Sequence, residues 1–409
     1  MGLGYWIWMI PLASENTSIG IVTDETVHPY ASYAHSYEET VAWISEHEPA
    51  LAHLLAGREP LDFKRLRNFS YSSCRVFSSD RWSCVGEAAV FLDPFYSPGG
   101  DYIAVGNTIT TELIRRDREG RFDRETADLY NDLFLRTMFP TSLEIFRGSY
   151  ITFGYPQIYT TKMLWDAMIY WGAGPCQLFI QGMLREPQSV REYLPVARRI
   201  TALEKRIQQL FRDWAKNSCP RAHYDYYDFS LVPFLHLVYL DLMVRKNKEQ
   251  FLNDLRLNLD RLEEAAQVVF RQAVGETMPE QLERLQGRWV NAWAISLSPD
   301  NWEADGLFLP ESEPRDLTVM QHALFPNLFG PLPRSAQWYA DVLSFCMHFL
   351  RGRPFYVFQE CVRRFLSLHS RMIYRRLFVK DQRSAPRCEV PSVTVPETAA
   401  CHDEAVAAS

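Results

Sequence analysis

The sequence predicts a mixed α+β or α/β fold at the N-terminal end, followed by a mainly helical remainder. Two observations lead to this prediction. Up to about residue 117, short strand-like patterns and turns alternate with helical stretches. From about residue 122, apolar residues recur at helical spacing along most of the chain. The 409 residues, of which 47% are hydrophobic, suffice for a large core and two or three domains.

The stretch "GYWIWMIPL", residues 4–12, predicts the first strand because aromatic and β-branched residues dominate it and Pro11 ends it. A polar turn, "ASEN", then leads to a second strand over 17–23. The two strands and this turn together indicate a hairpin. Alternate residues of a strand share a face, so Trp6 and Trp8 are expected to form a small indole wall. An ordinary buried sheet face is the alternative interpretation of this wall.

The remaining elements are assigned from capping residues, alternation and 3.6-residue periodicity. They are a helix over 36–57, strands over 66–78 and 82–93, a helix over 101–117, a helix over 124–146 interrupted at Pro140, a broken buried helix over 163–184 and an amphipathic helix over 252–269. Ser36 is the expected N-cap of the first helix, and Glu39 completes a capping box with it.

Composition excludes several classes of protein. The net charge of −7 and the pI of about 5.9 indicate no nucleic-acid partner. The eight cysteines are scattered without a CxxC pair, which favours reduced thiols in a cytoplasmic protein over a disulfide framework or a metal site. No signal peptide and no membrane span are predicted.

The most informative segment is "CVGEAAVFLDPFYSPGGDYIAVGNTITTELI", residues 84–114. A strand is expected to end at Gly86, and Glu87 follows it. A carboxylate just past a strand end can bind ribose or ribityl hydroxyls. The small side chain of Ala88 allows a ligand to approach the backbone closely.

The second half of the same segment predicts a turn and a helix start. Pro94 makes the turn rigid, and Gly99 and Gly100 open a helix whose first N–H groups face outward. Such N–H groups attract an anion or an electron-rich ring oxygen. An acid followed by this proline and this glycine pair is far more specific than the Gly-acid-Ala-Ala pattern alone.

This segment resembles the second flavin-binding motif of the FAD-dependent monooxygenase and halogenase superfamily. The matching residues are Gly86, Glu87, Ala88, Pro94, Gly99 and Gly100. The opening stretch is similar to W-x-W-x-I-P, the signature of flavin-dependent halogenases. It is matched by Trp6, Trp8, Ile10 and Pro11. The resemblance covers about residues 4–117. The remainder of the chain is similar to the family only in that both have a helical substrate region there.

The resemblance implies a FAD-binding fold and an oxidoreductase that uses FADH2, supplied by a separate flavin reductase, and O2. It implies that Glu87 contacts the ribityl or pyrophosphate part of FAD and that Trp6 and Trp8 keep the organic substrate away from the flavin. The substrate would be a small aromatic or heteroaromatic ring, which in some related enzymes is tethered to a carrier protein. A halide would bind at Ser97, Gly99 and Gly100.

The expected organisation has four parts. They are a substrate-side sheet with the W-x-W-x-I-P motif over 1–80, a returning FAD-binding strand, turn and helix over 81–117, a helical domain over 118–380, and a disordered tail over 381–409.

Three departures from the family pattern qualify these implications. Glu87 stands where aspartate is usual, and Tyr96 stands where tryptophan-type halogenases have a glutamate. Ser97 is followed by Pro98, which has no N–H to offer a halide. A flavin monooxygenase without halogenation is therefore a second hypothesis.

The family's N-terminal G-x-G-x-x-G is not matched in this sequence. Gly2-Leu3-Gly4 leads into a strand and has no third glycine, and the first lysine, Lys64, lies downstream of W-x-W-x-I-P. The family's catalytic lysine lies upstream, so it has no counterpart here. The chain is therefore expected to begin within a flavoenzyme, and a non-catalytic remnant or partner subunit is the third hypothesis.

Two further patterns have an ordinary and a functional interpretation. In "HYDYYDF", residues 223–229, a polar tyrosine-rich loop is favoured over an acid–base pair. The basic helix expected over 361–380 is interpreted as a solvated face, with docking of an acidic carrier protein as the alternative.

Overall fold

Within the residues that it describes, the computed structural model is mainly helical and carries three two-stranded antiparallel sheets. The described residues are 1–219, 232–309, 317–324 and, further on, 343–344, 346–353, 355, 357, 359 and 363. Met1–Val362 cluster as one unit. The division into parts ending at residues 80, 117 and 380 stays a prediction. The "HYDYYDF" stretch, the basic helix and the C-terminal tail lie outside the described residues.

The strands are short after the first hairpin. They are β1 (Tyr5–Pro11), β2 (Thr17–Thr23), β3 (Tyr71–Ser72), β4 (Phe77–Ser78), β5 (Trp82–Ser83) and β6 (Val90–Phe91). β1 pairs with β2, β3 with β6 and β4 with β5. The expected mixed sheet with a returning flavin-domain strand is therefore not confirmed in the described part of the chain.

The predicted N-terminal hairpin is confirmed, and its register explains why residue 20 is a glycine. Trp8 of β1 lies opposite Gly20 of β2. A Cβ atom on Gly20 would lie 1.9 Å from Cζ2 of Trp8, so the indole occupies the space that any side chain would need. Gly20 thus lets the Trp8 ring pack against the neighbouring strand.

The strands predicted over 66–78 and 82–93 are wrong in length, because only two-residue segments of them pair. Asn131 of a neighbouring helix replaces a partner strand beside β4. Its side-chain oxygen accepts from the N–H groups of Val76 and Phe77 at 2.9 and 3.1 Å, and its amide donates to the Phe77 carbonyl at 2.7 Å. Backbone groups satisfied by a side chain need no strand partner.

The helical character predicted from about residue 122 is confirmed in the described residues. The helices are α1 (Tyr37–His47), α2 (Pro49–Leu55), α3 (Gly99–Arg118), α4 (Arg124–Leu133), α5 (Phe139–Phe146), α6 (Pro156–Gly172), α7 (Cys176–Ile180), α8 (Pro187–Lys216), α9 (Pro233–Leu242), α10 (Lys248–Thr277), α11 (Leu282–Leu285) and α12 (Thr318–Leu324). The sequence analysis does not assign α8, α9, α11 and α12 individually. The helix predicted over 101–117 is confirmed as α3, and the amphipathic helix over 252–269 lies inside α10. The predicted break near residue 174 separates α6 from α7.

The helix predicted over 36–57 is two helices, because Pro49 cannot donate a backbone hydrogen bond and begins α2. Ser36 caps α1 as predicted, since its side chain accepts from the N–H of Glu39 at 3.2 Å. The reciprocal bond is shifted by one residue from the predicted capping box. The Glu39 carboxylate accepts from the N–H of His35 instead of that of Ser36.

The predicted interruption at Pro140 begins one turn earlier. A π-helical turn, Phe134–Met138, joins α4 to α5. A proline removes one backbone donor and crowds the carbonyl four residues before it, so the hydrogen-bond ladder shifts ahead of it.

One apolar cluster links the N-terminal segments to the helices. Its buried members include Phe77 of β4, Ile109 of α3, Tyr130 of α4 and Val190 of α8, and Phe95 belongs to it as well. Burying such side chains contributes about 1.5–3 kcal/mol each relative to leaving them exposed. Trp6 and Trp8 pack against this cluster. The core therefore holds the first hairpin and the 93–100 turn on the same body.

No helix in the described ranges is both long and apolar enough to cross a membrane. The same ranges contain no cluster of three or more histidine, cysteine or acidic side chains that could hold a metal ion.

Candidate functional site

The two tryptophans of β1 share a face, as predicted. Their ring centroids lie 5.6 Å apart, and the Trp6 ring lies 5.3 Å from the ring of Phe95 in an edge-on contact. The Trp8 indole N–H donates to the hydroxyl of Ser18 at 3.3 Å. The structure thus brings the W-x-W-x-I-P stretch against the turn that follows Pro94.

A chain of hydrogen bonds joins these two motifs through Tyr150, which belongs to neither. The Trp6 indole N–H donates to the Tyr150 hydroxyl at 2.8 Å, and that hydroxyl donates to Oδ2 of Asp93 at 2.5 Å. Burial raises the pKa of Asp93, and the Tyr150 hydrogen bond offsets part of this effect. Burial and the Asp93 charge together raise the pKa of Tyr150 far above its usual range. The Tyr150 hydroxyl therefore keeps its proton and acts as a fixed hydrogen-bond donor between the two motifs.

Gly86 and Glu87 lie in a short 3₁₀ turn, Gly86–Ala88, instead of at the end of a strand. The strand before them, β5, already ends at Ser83. Gly86 is buried with a φ of +57°, and a Cβ atom there would lie 2.8 Å from Cγ1 of Ile103 on α3. Both the dihedral angle and the space require glycine at this position.

Glu87 and Ala88 are exposed at the surface of this turn. The Tyr71 hydroxyl donates to the Glu87 carbonyl at 2.5 Å, which fixes the backbone there. No described residue forms a hydrogen bond or an ion pair with the Glu87 carboxylate. The carboxylate is therefore available to an external hydroxyl, as the predicted role requires.

The turn after Pro94 adopts an unusual backbone conformation. The Pro94 carbonyl accepts from the N–H of Ser97 at 2.9 Å, and the N–H of Phe95 donates to Oδ1 of Asp93 at 2.8 Å. Tyr96 and Ser97 have φ angles of 64° and 55°, in the left-handed region that favours glycine. Each such residue costs on the order of 1–2 kcal/mol, so other contacts must hold the turn.

Gly99 and Gly100 open α3, as predicted, and Pro98 occupies the N-cap position without a side-chain cap. Within the described part of the chain, no hydrogen bond from the N–H groups of Gly99 and Gly100 is found. A Cβ atom on either glycine would meet nothing within 4 Å, so the space beside both is open. Two free N–H groups at a helix start suit an anion or a carbonyl oxygen.

Ser97 is less suited to a halide than predicted. Its N–H is already bonded to the Pro94 carbonyl, and Pro98 has none. Of the predicted halide residues, Gly99 and Gly100 retain free backbone donors, and Ser97 retains its exposed hydroxyl.

Sequence reasoning missed a buried polar cluster behind this turn. The Tyr96 hydroxyl donates to Oδ2 of Asp166 at 3.0 Å, and Nζ of Lys162 lies 2.5 Å from the same oxygen. Gln208 donates to Oδ1 of Asp166 at 2.7 Å and to Glu204 at 2.8 Å. Lys162 and Asp166 are four residues apart on α6, a spacing that could have suggested the pair.

Burial dominates the electrostatics of this cluster. It raises the pKa of Asp166, against the opposing effect of the Lys162 charge. Burial also raises the pKa of Glu204 to about 8, with the Asp166 charge as the second cause. It raises the pKa of the Tyr96 hydroxyl well above its usual range. At neutral pH Tyr96 and Glu204 therefore both keep their protons.

The structure thus brings the W-x-W-x-I-P stretch close to the turn after Pro94, and Gly99 and Gly100 open the helix that follows this turn. Comparison with curated proteins relates part of the chain to flavin-dependent halogenases, which confirms the predicted resemblance. The relatives are oxidoreductase enzymes.

Three relatives illustrate the similarity. A flavin-dependent halogenase of Dictyostelium discoideum is 34% identical over 117 residues, which are 28% of this chain and 19% of that protein. A 1H-pyrrole-2-carbonyl peptidyl-carrier-protein brominase of Pseudoalteromonas luteoviolacea is 26% identical over 130 residues, 31% of each chain. The corresponding chlorinase of Pseudomonas fluorescens is 32% identical over 96 residues, 23% of this chain and 20% of that protein.

The matched region thus spans about a fifth to a third of the length of these relatives. No family model matches the chain, and no solved structure matches it.

Proposed function

We propose that this chain forms part of a FAD-dependent halogenase-type oxidoreductase that acts on an aromatic or heteroaromatic ring with FADH2, O2 and a halide. The observation that carries the proposal is the junction of the two motifs. Trp6 and Asp93 meet at the Tyr150 hydroxyl, and the free N–H groups of Gly99 and Gly100 follow in the same turn and helix start.

FAD fits the residues present in three respects. The Glu87 carboxylate is exposed and unpaired among the described residues, and Ala88 beside it is small and exposed. No protein atom lies within 4 Å of a Cβ position on Gly99 or Gly100, so a ligand can approach the helix start and its two backbone donors. Gly86 leaves room for Ile103 of α3, so the acid-bearing turn packs against the helix that Gly99 and Gly100 open.

Each residue has a defined role in this proposal. Glu87 accepts hydrogen bonds from ribityl or ribose hydroxyls, and Gly99 and Gly100 donate to a ring oxygen of the flavin or to the halide. Trp6 and Trp8 form an apolar wall that separates the flavin from the organic substrate. Tyr150 holds Trp6 in place through its hydrogen bond. The reduced flavin, supplied by a separate reductase, activates O2 when it is bound.

The substrate class is inferred from the relatives. Two of them are named for a pyrrole carbonyl group attached to a peptidyl carrier protein. We propose a small aromatic or heteroaromatic substrate for this chain as well, with carrier attachment as the form to test alongside the free acid.

The first experiment measures flavin binding directly. The purified chain is mixed with excess FAD and desalted, and its visible absorbance is recorded. We expect bands near the flavin maxima that remain with the protein. Glu87→Gln should lower the retained absorbance, whereas Glu125→Gln, a substitution on the surface of α4, should not. A colourless wild-type protein would rule out flavin binding by this chain on its own.

A second candidate is a flavin monooxygenase without halogenation. The shortage of N–H donors where a halide would bind favours this candidate. Ser97 has no free N–H and Pro98 has none at all, so one expected donor to the halide is lost. Losing a charge-assisted hydrogen bond of this kind would cost about 1.5–3 kcal/mol of halide binding. Product masses obtained with chloride, with bromide and without halide distinguish a halogenated ring from a hydroxylated one.

A further inference from the structure

One face of α6 lies along the turn and helix start that contain Tyr96, Gly99 and Gly100. Lys162, Asp166 and Tyr170 follow one another at intervals of four residues, so they share that face. We call these three residues the α6 stripe. It contacts the segment 96–101 at both ends.

The first contact is at Tyr96, whose hydroxyl donates to Asp166. Tyr96 is 41% exposed, so its ring reaches from the surface to a carboxylate that is only 5% exposed. Asp166 is itself held by Lys162 on one oxygen and by Gln208 on the other. The anchor for the Tyr96 hydroxyl is therefore rigid.

The second contact lies at the other end of the segment. The Tyr170 hydroxyl donates to Oδ1 of Asp101 at 2.9 Å. Asp101 lies in the first turn of α3, directly after Gly100. The two free N–H groups are therefore bracketed by two side-chain hydrogen bonds from a single helix.

The backbone conformation shows why such anchors are needed. Tyr96 and Ser97 both have positive φ angles, which side chains other than glycine rarely adopt. Within the turn, the N–H of Ser97 donates to the Pro94 carbonyl, and the Tyr96–Asp166 hydrogen bond adds an anchor from outside the turn. If the turn relaxed, the N–H groups of Gly99 and Gly100 would change direction.

We propose that the α6 stripe positions the N–H groups of Gly99 and Gly100 for their ligand, with Asp166 and Tyr170 as the positioning residues and Lys162 holding Asp166. This inference rests on the proposed function for the identity of the ligand, FAD or halide. The positioning of the turn itself can be tested without either.

The test uses Tyr96→Phe, Tyr170→Phe and the double variant, because each removes one hydroxyl and leaves the buried Lys162–Asp166 pair intact. Tyr155→Phe is the matched control, since no described residue forms a hydrogen bond with the Tyr155 hydroxyl. Two quantities are measured on each variant of the 409-residue chain. They are hydrogen exchange of the peptide over 95–102 and the dissociation constant for FAD from a fluorescence titration.

We expect exchange in this peptide to accelerate about tenfold or more in the double variant, because the local opening becomes easier. The dissociation constant for FAD should rise by a similar factor, while the control leaves both quantities unchanged. Unchanged exchange would overturn the inference. Faster exchange with unchanged FAD affinity would also overturn it, because the stripe would then have a structural role only.

The proposed function can fail separately. If the wild-type protein binds no FAD but exchange over 95–102 accelerates in the variants, the positioning of the turn is supported and the proposed flavin function is not. If the wild type and all variants bind FAD equally, the flavin function is supported and the positioning inference is overturned.

Discussion

The indole nitrogen of Trp6 donates a hydrogen bond to the hydroxyl of Tyr150, which lies 144 residues further along the chain. Because the same hydroxyl donates to Asp93, one side chain from much further along the chain links the opening strand to the second motif by hydrogen bonds, beside the direct contact of Trp6 with Phe95.

Tyr150→Phe tests this junction. The substitution leaves Trp6 without its acceptor and Asp93 without its hydroxyl donor, so we expect the free energy of unfolding to fall by about 1–3 kcal/mol. Urea denaturation measures the change. Tyr37→Phe is the control, because no described residue forms a hydrogen bond with that hydroxyl. Equal stability of the two variants would contradict the prediction.

Gly20→Ala tests the packing of the indole wall. The new Cβ atom would lie 1.9 Å from Trp8, so the ring must move, and we expect a loss of about 1–3 kcal/mol in the free energy of unfolding. Gly275→Ala on α10 is the control, since its Cβ would make an ordinary contact 3.4 Å from Leu282. That change should stabilise the helix by about 0.5–1 kcal/mol. The two substitutions should thus change the free energy of unfolding in opposite directions. An unchanged stability of Gly20→Ala would show that the Trp8 ring is free to move.

Gly100→Ala separates stability from ligand binding. The added methyl group meets no protein atom within 4 Å and lies in the first turn of α3, so stability should be unchanged or slightly higher. The same methyl group would occupy the space proposed for the flavin, and we expect FAD binding to weaken about tenfold, or roughly 1.4 kcal/mol. Urea denaturation and a flavin fluorescence titration give the two values. Normal FAD binding by this variant would place the cofactor elsewhere.

Lys246→Met tests a second buried ion cluster, remote from the proposed site. Nζ of Lys246 lies 2.8 Å from Asp241 and 2.7 Å from Asp254, and all three side chains are buried. Removing the ammonium group leaves two buried carboxylates with only the Arg353 guanidinium beside them, at 3.8 Å from each among the described residues, so we expect a loss of about 3–5 kcal/mol in the free energy of unfolding.

Lys248→Met is the matched control for that prediction. Lys248 pairs with Glu192 at 3.0 Å, but its side chain is 42% exposed. An exposed pair contributes little, so we expect a change below about 1 kcal/mol. Similar losses in the two lysine variants would refute the distinction between the buried and the exposed pair.

Glu204→Gln tests the raised pKa in the cluster behind Tyr96. Glu204 keeps its proton in the folded protein up to a pH of about 8, whereas it ionises near 4.5 in the unfolded chain. The folded state thus binds more protons between these values, and the stability of the wild type falls as the pH rises through this window. The glutamine side chain of the variant cannot ionise in either state.

As the pH rises from about 5 to about 8, the free energy of unfolding should therefore fall less in the variant than in the wild type. The difference between the two decreases should be roughly 1–3 kcal/mol. Urea denaturation at both pH values measures the difference. Parallel losses in the two proteins would mean that Glu204 ionises normally in the folded state.

Residue type and spacing are enough to predict the local elements whose signals are periodic or stereochemical. The hairpin of β1 and β2, the cap at Ser36 and the helix start at Gly99 follow from residues close together in the chain. The two motifs and the resemblance to flavin-dependent halogenases were likewise readable from residue type and spacing, because cofactor contacts made by glycine N–H groups and one acid leave a short local pattern.

The distant side chains that complete the candidate site are visible only in the folded protein. Tyr150 reaches Trp6, Asn131 replaces a strand partner beside β4, and Asp166 holds Tyr96, each across more than 50 residues. A hydrogen bond of this kind depends on the direction in which a helix presents its side chain to another segment, and no local periodicity encodes that direction. For the same reason the strands over 66–93 were predicted too long, since their backbone groups are satisfied by contacts that the sequence does not place.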